Sequence, residues 1–255
     1  MTIAVSSGRY WRAARAPRYS LTFALPLLVA YEVLAFTLTH DAIAGVRNGA
    51  DVLLKSVFVL LGGRTGLIVF GVLLVGTGAV VVWRDRRRSG PIEGRVFGLM
   101  LLESTGYALV FGLVVGTLTG MLLHPFHYAA ALVGGHEGVG PAGLGLATQL
   151  MVSLGAGIYE ELLFRVLIVG ALSWLARRGF GWTTSASGVF AAIAGALIFS
   201  AFHYLGPYGD RLDLASFTFR TVAGVLFSAL YLLRGFGITA WTHALYDVFL
   251  AVAAG

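Results

Sequence analysis

From Tyr19 to its end the chain is a succession of apolar runs of about 20 residues, separated by short segments that hold most of its arginines. In lipid every backbone N–H and C=O must be paired within the protein, so only helices and closed barrels cross a bilayer. Runs of this length without period-2 alternation select helices. The composition agrees: 58% of residues are hydrophobic, 12% are charged and the mean hydropathy is +0.84, against about 25% charged residues in soluble domains. The expected fold is therefore all-α, a polytopic bundle of transmembrane helices in a lipid bilayer. The sequence contains no cysteine, which excludes disulfides, thiol nucleophiles and zinc–thiolate sites. Chemistry is left to Glu, Asp, His, Ser, Tyr and Arg. The net charge of +6 comes from arginines bordering the apolar runs, where they set membrane orientation, and it does not indicate a nucleic-acid partner.

Arg9, Arg12, Arg15 and Arg18 precede a first run from Tyr19 to Thr39, which places the amino terminus at the cytoplasmic side. An Ala-x-Ala pattern at Ala42-Ile43-Ala44 raises a cleaved signal peptide, but the preceding run is long and contains Pro26 and Glu32, so an uncleaved anchor is expected. The segment 41–64, with Asp51 and Lys55, has an apolar core too short to span and is expected to lie at the interface or to re-enter. A second run, Gly66 to Trp83, stops at Arg84-Asp85-Arg86-Arg87-Arg88. A third, from about Val96 to Leu123, leads into a loop without Lys or Arg that contains His124, His127 and His136 and should face outward. Further runs lie at 144–175, 184–204, 214–233 and from 236 onward. The total is about seven to eight spans. Residues 1–142 form an amino-terminal membrane region and 143–255 a core that carries the chemistry.

The chemistry concentrates in Tyr159-Glu160-Glu161-Leu162-Leu163-Phe164-Arg165, inside an apolar run. An ionisable group at the bilayer centre is disfavoured by about 3 kcal/mol on insertion scales, so each needs a partner or a function. On an α-helix Glu161 and Arg165 stand four apart with the acid first, the favourable order for an ion pair. Glu160 points about 100° away and lacks a partner on its own helix. A carboxylate so placed is suited to act as a general base on water. Two more polar sites follow. Phe199-Ser200-Ala201-Phe202-His203 puts Phe199 and His203 one turn apart, and His243-Ala244-Leu245-Tyr246-Asp247 puts His243 and Asp247 on one helix face. Either histidine alone reads as a polar packing residue. Together, carboxylate, two histidines and Asp on three spans form a convergent set, because polar groups in lipid need one another.

Glu-Glu-x-x-x-Arg, then Phe-x-x-x-His, then His-x-x-x-Asp, in this order on successive hydrophobic segments, resembles the CAAX-processing and bacteriocin-processing family of intramembrane endopeptidases, which includes the Rce1-type prenyl-protein protease. The resemblance covers residues from Gln149 to the end. It implies that Glu160 activates a water, that His203 helps to hold it, and that His243 and Asp247 stand at the oxyanion-stabilising positions. Glu161, Arg165 and Phe199 are then supporting residues. The family's usual last residue is Asn, an amide donor; Asp247 donates only when protonated, or else orients His243. The resemblance also implies a metal-independent reaction with no cofactor, and a peptide or membrane-protein substrate that carries a lipid in some relatives. A bacterial or archaeal-type cytoplasmic membrane is the expected location.

Other chemistries fit less well. Glu160, His203 and His243 form a possible His₂Glu zinc set. His136-Glu137 lacks the second His of the His-Glu-x-x-His zinc motif. Ser185-Ala186-Ser187-Gly188 lacks the first Gly of the rhomboid pattern, and Tyr246-Asp247 and Tyr208-Gly209-Asp210 resemble presenilin-type aspartates in reversed order. A non-catalytic immunity or scaffold protein of the same fold is the alternative from another class, and a proton-coupled transporter is a third. Glu32, Glu103 and Arg220 are expected to pair with one another. One expectation conflicts with the rest: on straight helices His203 lies at the outer end of its span, while His243 lies about 10 Å from the inner end of its own at 1.5 Å per residue, so the two would not meet.

Overall fold

A computed structural model describes residues 7–39, 47–124, 145–206 and 209–254. The described residues are helical with short connections, as the apolar runs require. They comprise α1 (Ser7–Arg15), α2 (Pro17–Thr39), α3 (Gly49–Ser89), α4 (Gly94–Leu123), α5 (Leu146–Gly155), a π-helical segment (Ala156–Val169), α6 (Gly170–Gly179), α7 (Thr184–Phe202), α8 (Leu214–Arg234) and α9 (Phe236–Ala254). Among them α2, α3, α4, α7, α8 and α9 are long and apolar enough to cross a membrane. Backbone dihedrals stay in the right-handed helical region through Gly155, Ala156, Val169 and Gly170, so α5, the π segment and α6 form one continuous rod. Ala42-Ile43-Ala44, His127, His136, Glu137 and Tyr208 lie outside the described residues.

Helix α3 is two arms rather than one rod. At Gly62 (φ −148°, ψ 17°) and Gly63 (φ 55°, ψ −141°) the backbone leaves helical values, and the second of these lies in the left-handed region open to glycine. The chain turns back on itself there. The rings of Phe58 and Phe70 are 5.2 Å apart, whereas 12 residues of straight helix would separate them by about 18 Å. The short arm, starting at Gly49, is the second half of the segment expected to lie at the interface or to re-enter. It packs against α2 with Ala50 and Asp51 fully buried. Asp51 is held by Tyr31 (2.7 Å), Arg47 (3.0 Å) and Lys55 (2.7 Å).

The isolated intramembrane charges are all paired, but not with one another as expected. Glu32 meets Lys55 at 2.9 Å and also accepts from Tyr159. Glu103 takes a bidentate contact from Arg234 at 2.6 and 2.7 Å, and Arg220 binds Asp210. Three separate polar contacts replace one because Glu32 and Glu103 face different helices, α3 and α8, while Arg220 reaches the connection before its own helix. The Glu103–Arg234 pair also anchors α1. Burial and the neighbouring Glu103 carboxylate push the Tyr10 phenol up, which keeps it a donor to that carboxylate.

Close approach of α9 to the π segment builds the core. A Cβ on Gly157 would stand 2.4 Å from the Ala240 carbonyl oxygen and 2.6 Å from the Ala244 Cβ, so two small residues and a glycine let the backbones touch. Gly157→Ala is expected to force these helices apart and destabilise the fold by about 1–3 kcal/mol. It should also lower activity, because His243 stands between Ala240 and Ala244. An unfolding titration in mixed micelles measures the first effect; a wild-type transition would contradict the close packing.

Candidate active site

The carboxylates and Arg165 lie on the π segment, not on the α-helix that local propensity suggests. Its wider turn is visible at the exit, where the Gly170 N–H donates to the Arg165 carbonyl five residues back. π geometry is rare, is seen mostly as single turns inside α-helices and is frequent at functional sites; here it extends over Ala156–Val169. Glu160, Glu161 and Arg165 are buried here, with Glu161 and Arg165 at 0% and 1% exposure.

The internal ion pair is present, with Arg165 Nε 3.1 Å from Glu161 Oε2. The contact is close but not aligned as a hydrogen bond, and the Arg165 Nη atoms have no hydrogen-bond partner among the described residues. The guanidinium instead stacks over Phe199 at 4.4 Å and faces Phe227 at 5.4 Å. Phe199 thereby supports the cation as well as the histidine that follows it.

Glu161 has a second task. Its Oε1 lies 2.7 Å from His243 Nδ1. A carboxylate only accepts, so Nδ1 carries a proton and the ring is held in one orientation. The other nitrogen, Nε2, points towards Asp247 Oδ2 at 3.6 Å. Phe227 stacks on the imidazole with ring centroids 4.3 Å apart.

His203 caps the carboxyl end of α7. Its Nδ1 lies 2.9 Å from the Phe199 carbonyl oxygen, which only accepts, so Nδ1 donates and Nε2 keeps a free lone pair. The ring folds back along α7 rather than extending past its end. This removes the expected depth conflict. The Phe199 ring stands 4.8 Å from His203 and 6.4 Å from His243, so the two histidines flank one phenylalanine. Straight-helix depth counting failed because it measures each residue from the end of its own helix, whereas Phe199, one turn before His203, already brings its ring against both imidazoles. His203 and Asp247 are the half-buried members of the group, which makes their side the approach to it.

The partner that Glu160 lacks on its own helix comes from elsewhere. Asn48 Nδ2 donates to Glu160 Oε1 at 2.7 Å across 112 residues of sequence. Asn48 and Phe227 are the site neighbours that sequence reasoning missed. Asn48 followed by Asp51 carries an amino-terminal capping signal, but no local pattern points to its contact with Glu160. Oε2 of Glu160 is buried and has no hydrogen-bond partner among the described residues. No group of three or more His, Asp or Glu side chains among the described residues is arranged to hold a metal ion. In the set considered for zinc, the Nδ1 of His243 is engaged by Glu161, an arrangement that leaves Nε2 as the nitrogen open to a ligand or substrate.

Residues 142–249 match the protein-family model described as type II CAAX prenyl endopeptidase Rce1-like. This region belongs to the Rce1-like family. All seven residues from the three motifs fall inside the matched span, and Asn48 falls outside it. No curated protein and no solved structure matches the chain. The Rce1-like family is a protease family, and the matched region sits in a bundle of apolar helices long enough to cross a membrane, which supports an integral membrane protein with an endopeptidase-type region.

Proposed function

We propose that this protein is a CAAX-type intramembrane endopeptidase that hydrolyses a peptide bond with a water activated by Glu160. The observation that carries the proposal is the Glu160 carboxylate: one oxygen is engaged by Asn48, and the other is buried with no hydrogen-bond partner among the described residues. Oε2 accepts a proton from a water that also donates to the Nε2 lone pair of His203. The water oxygen attacks the peptide carbonyl carbon and forms a C–O bond while the carbonyl π bond opens to an oxyanion. His243 Nε2 and Asp247, with a proton on that pair, supply the donor facing the oxyanion, and Glu161 holds the ring in place. When the tetrahedral centre collapses, the C–N bond breaks and the proton taken up by Glu160 passes to the leaving amine. Fixed donors in a water-poor site account for much of the acceleration in reactions of this kind.

The substrate on this reading is a membrane-associated peptide that approaches past His203 and Asp247. Its reaction needs no metal ion. The arginine-rich ends of α1, α3 and α6 lie at the cytoplasmic face under the positive-inside rule, in a bacterial or archaeal-type membrane.

The test is to incubate purified protein with a peptide library, with and without isoprenyl groups and with and without a chelator. Cleavage that is unchanged by chelation is expected. Activity lost on chelation and restored by zinc would overturn the metal-free mechanism. Absence of cleavage across the library would favour a binding role for the same fold.

A further inference from the structure

We propose that Asn48, at the start of the short arm of α3, is a positioning residue for Glu160, aiming its unpartnered Oε2 at the water. This deepens the reading above and rests on it. The support is geometric. Asn48 is 3% exposed and caps the arm, its Oδ1 accepting from the Ala50 N–H at 3.0 Å. That bond decides which end of the amide is which: with Oδ1 committed to an N–H, Nδ2 is the end facing Glu160, at 2.7 Å from Oε1. The Glu160 carboxylate is thus fixed through one oxygen and left open at the other.

Two further features hold Asn48 in place. A Cβ on Gly155 would stand 2.8 Å from the Asn48 Cβ and 2.6 Å from the Tyr31 ring, so only a glycine lets the arm come this near to the rod. The next turn of the arm is clamped through Asp51, which accepts hydrogen bonds from Tyr31 and Arg47 and forms an ion pair with Lys55. Lys55 in turn reaches Glu32, which accepts from Tyr159, the residue before Glu160. The polar cluster therefore ties both sides of the Asn48–Glu160 contact together. It explains why a chain with its motif residues in 142–249 uses the hairpin of α3: the hairpin supplies the donor that the rod lacks.

The experiment separates capping from positioning. Asn48→Ser keeps a good cap but is too short to bridge to Glu160, and Asn48→Asp keeps cap and size but replaces the donor with a second carboxylate. Both should unfold in detergent near the wild-type temperature. For Asn48→Ser, kcat is expected to fall about tenfold to a hundredfold with KM unchanged, by the loss of a group that orients the base. For Asn48→Asp, two adjacent carboxylates share a proton, so the acidic limb of the kcat/KM profile should move about one pH unit or more towards higher pH. An activity-independent reading comes from infrared spectra: the carboxylate band lost in Glu160→Gln locates Glu160, and Asn48→Ser should shift that band. If wild type cleaves, Glu160→Gln does not, and both Asn48 variants keep the wild-type kcat, pH profile and Glu160 band, the positioning role is overturned while the function stands. If wild type cleaves nothing, or Glu160→Gln cleaves normally, the function fails. The band then still decides whether Asn48 holds Glu160: a shift supports it and an unmoved band overturns it.

Discussion

Glu160→Gln is expected to lower peptide hydrolysis by about 10²–10⁴-fold, the range associated with loss of a general base, while the bundle stays folded. Gln has nearly the same shape, and its amide oxygen can still accept from Asn48, so the 2.7 Å contact that ties the rod to the short arm survives. What disappears is the ability of the second oxygen to take a proton from water. A neutral amide in place of a buried carboxylate also removes a desolvated charge, so the unfolding temperature in detergent should not fall by more than a few degrees. Initial rates and thermal melts on the same preparation give both quantities. Wild-type rates in this variant would remove Glu160 as the base.

The largest effect on stability is expected at Glu161. This carboxylate is fully buried and stands against both Arg165 and His243, at 3.1 and 2.7 Å. Glu161→Ala would leave the guanidinium without its nearest counter-charge, and removal of one member of a buried pair typically destabilises by about 3–5 kcal/mol. Stacking on Phe199 and Phe227 offsets little of this, since a cation over a ring gains about 2 kcal/mol when desolvated and already does so in the wild type. The double variant Glu161→Leu with Arg165→Met replaces the pair by apolar groups of similar size and should recover most of the stability. It should not recover activity, because His243 loses the acceptor that holds Nδ1. Unfolding titrations and cleavage assays across the single and double variants separate the two tasks of Glu161. Activity returning together with stability would show that its contact with His243 has no catalytic consequence.

Much of the fold was legible in the sequence for a simple reason. Lipid punishes unpaired backbone groups and unpaired charge, so apolar runs locate helices within a few residues. The expected run 96–123 is α4 (Gly94–Leu123), 184–204 is α7 (Thr184–Phe202) and 214–233 is α8 (Leu214–Arg234). The Glu161–Arg165 pair was equally legible, because both partners lie within one turn. Misreadings came where partners are far apart in sequence. Glu32, Glu103 and Arg220 were expected to meet, yet each found a different partner. Hydropathy reports that a charge is costly, not which helix will neutralise it.

The same division runs through the site. The order of the three motifs, the local ion pair and the placement of each polar side chain on an apolar helix were determined by the sequence alone, since they depend on periodicity and on the cost of charge in lipid. Tertiary structure decided the rest: the π geometry of the rod, the back-folded His203 ring that meets His243 across Phe199, the grip of Glu161 on His243, and the reversal at Gly62–Gly63 that carries Asn48 to Glu160. These depend on how closely helix backbones approach, at Gly157 against Ala240 and Ala244 and at Gly155 against Asn48. Close approach is a property of facing pairs of surfaces, and a single strand of sequence holds only one side of each pair.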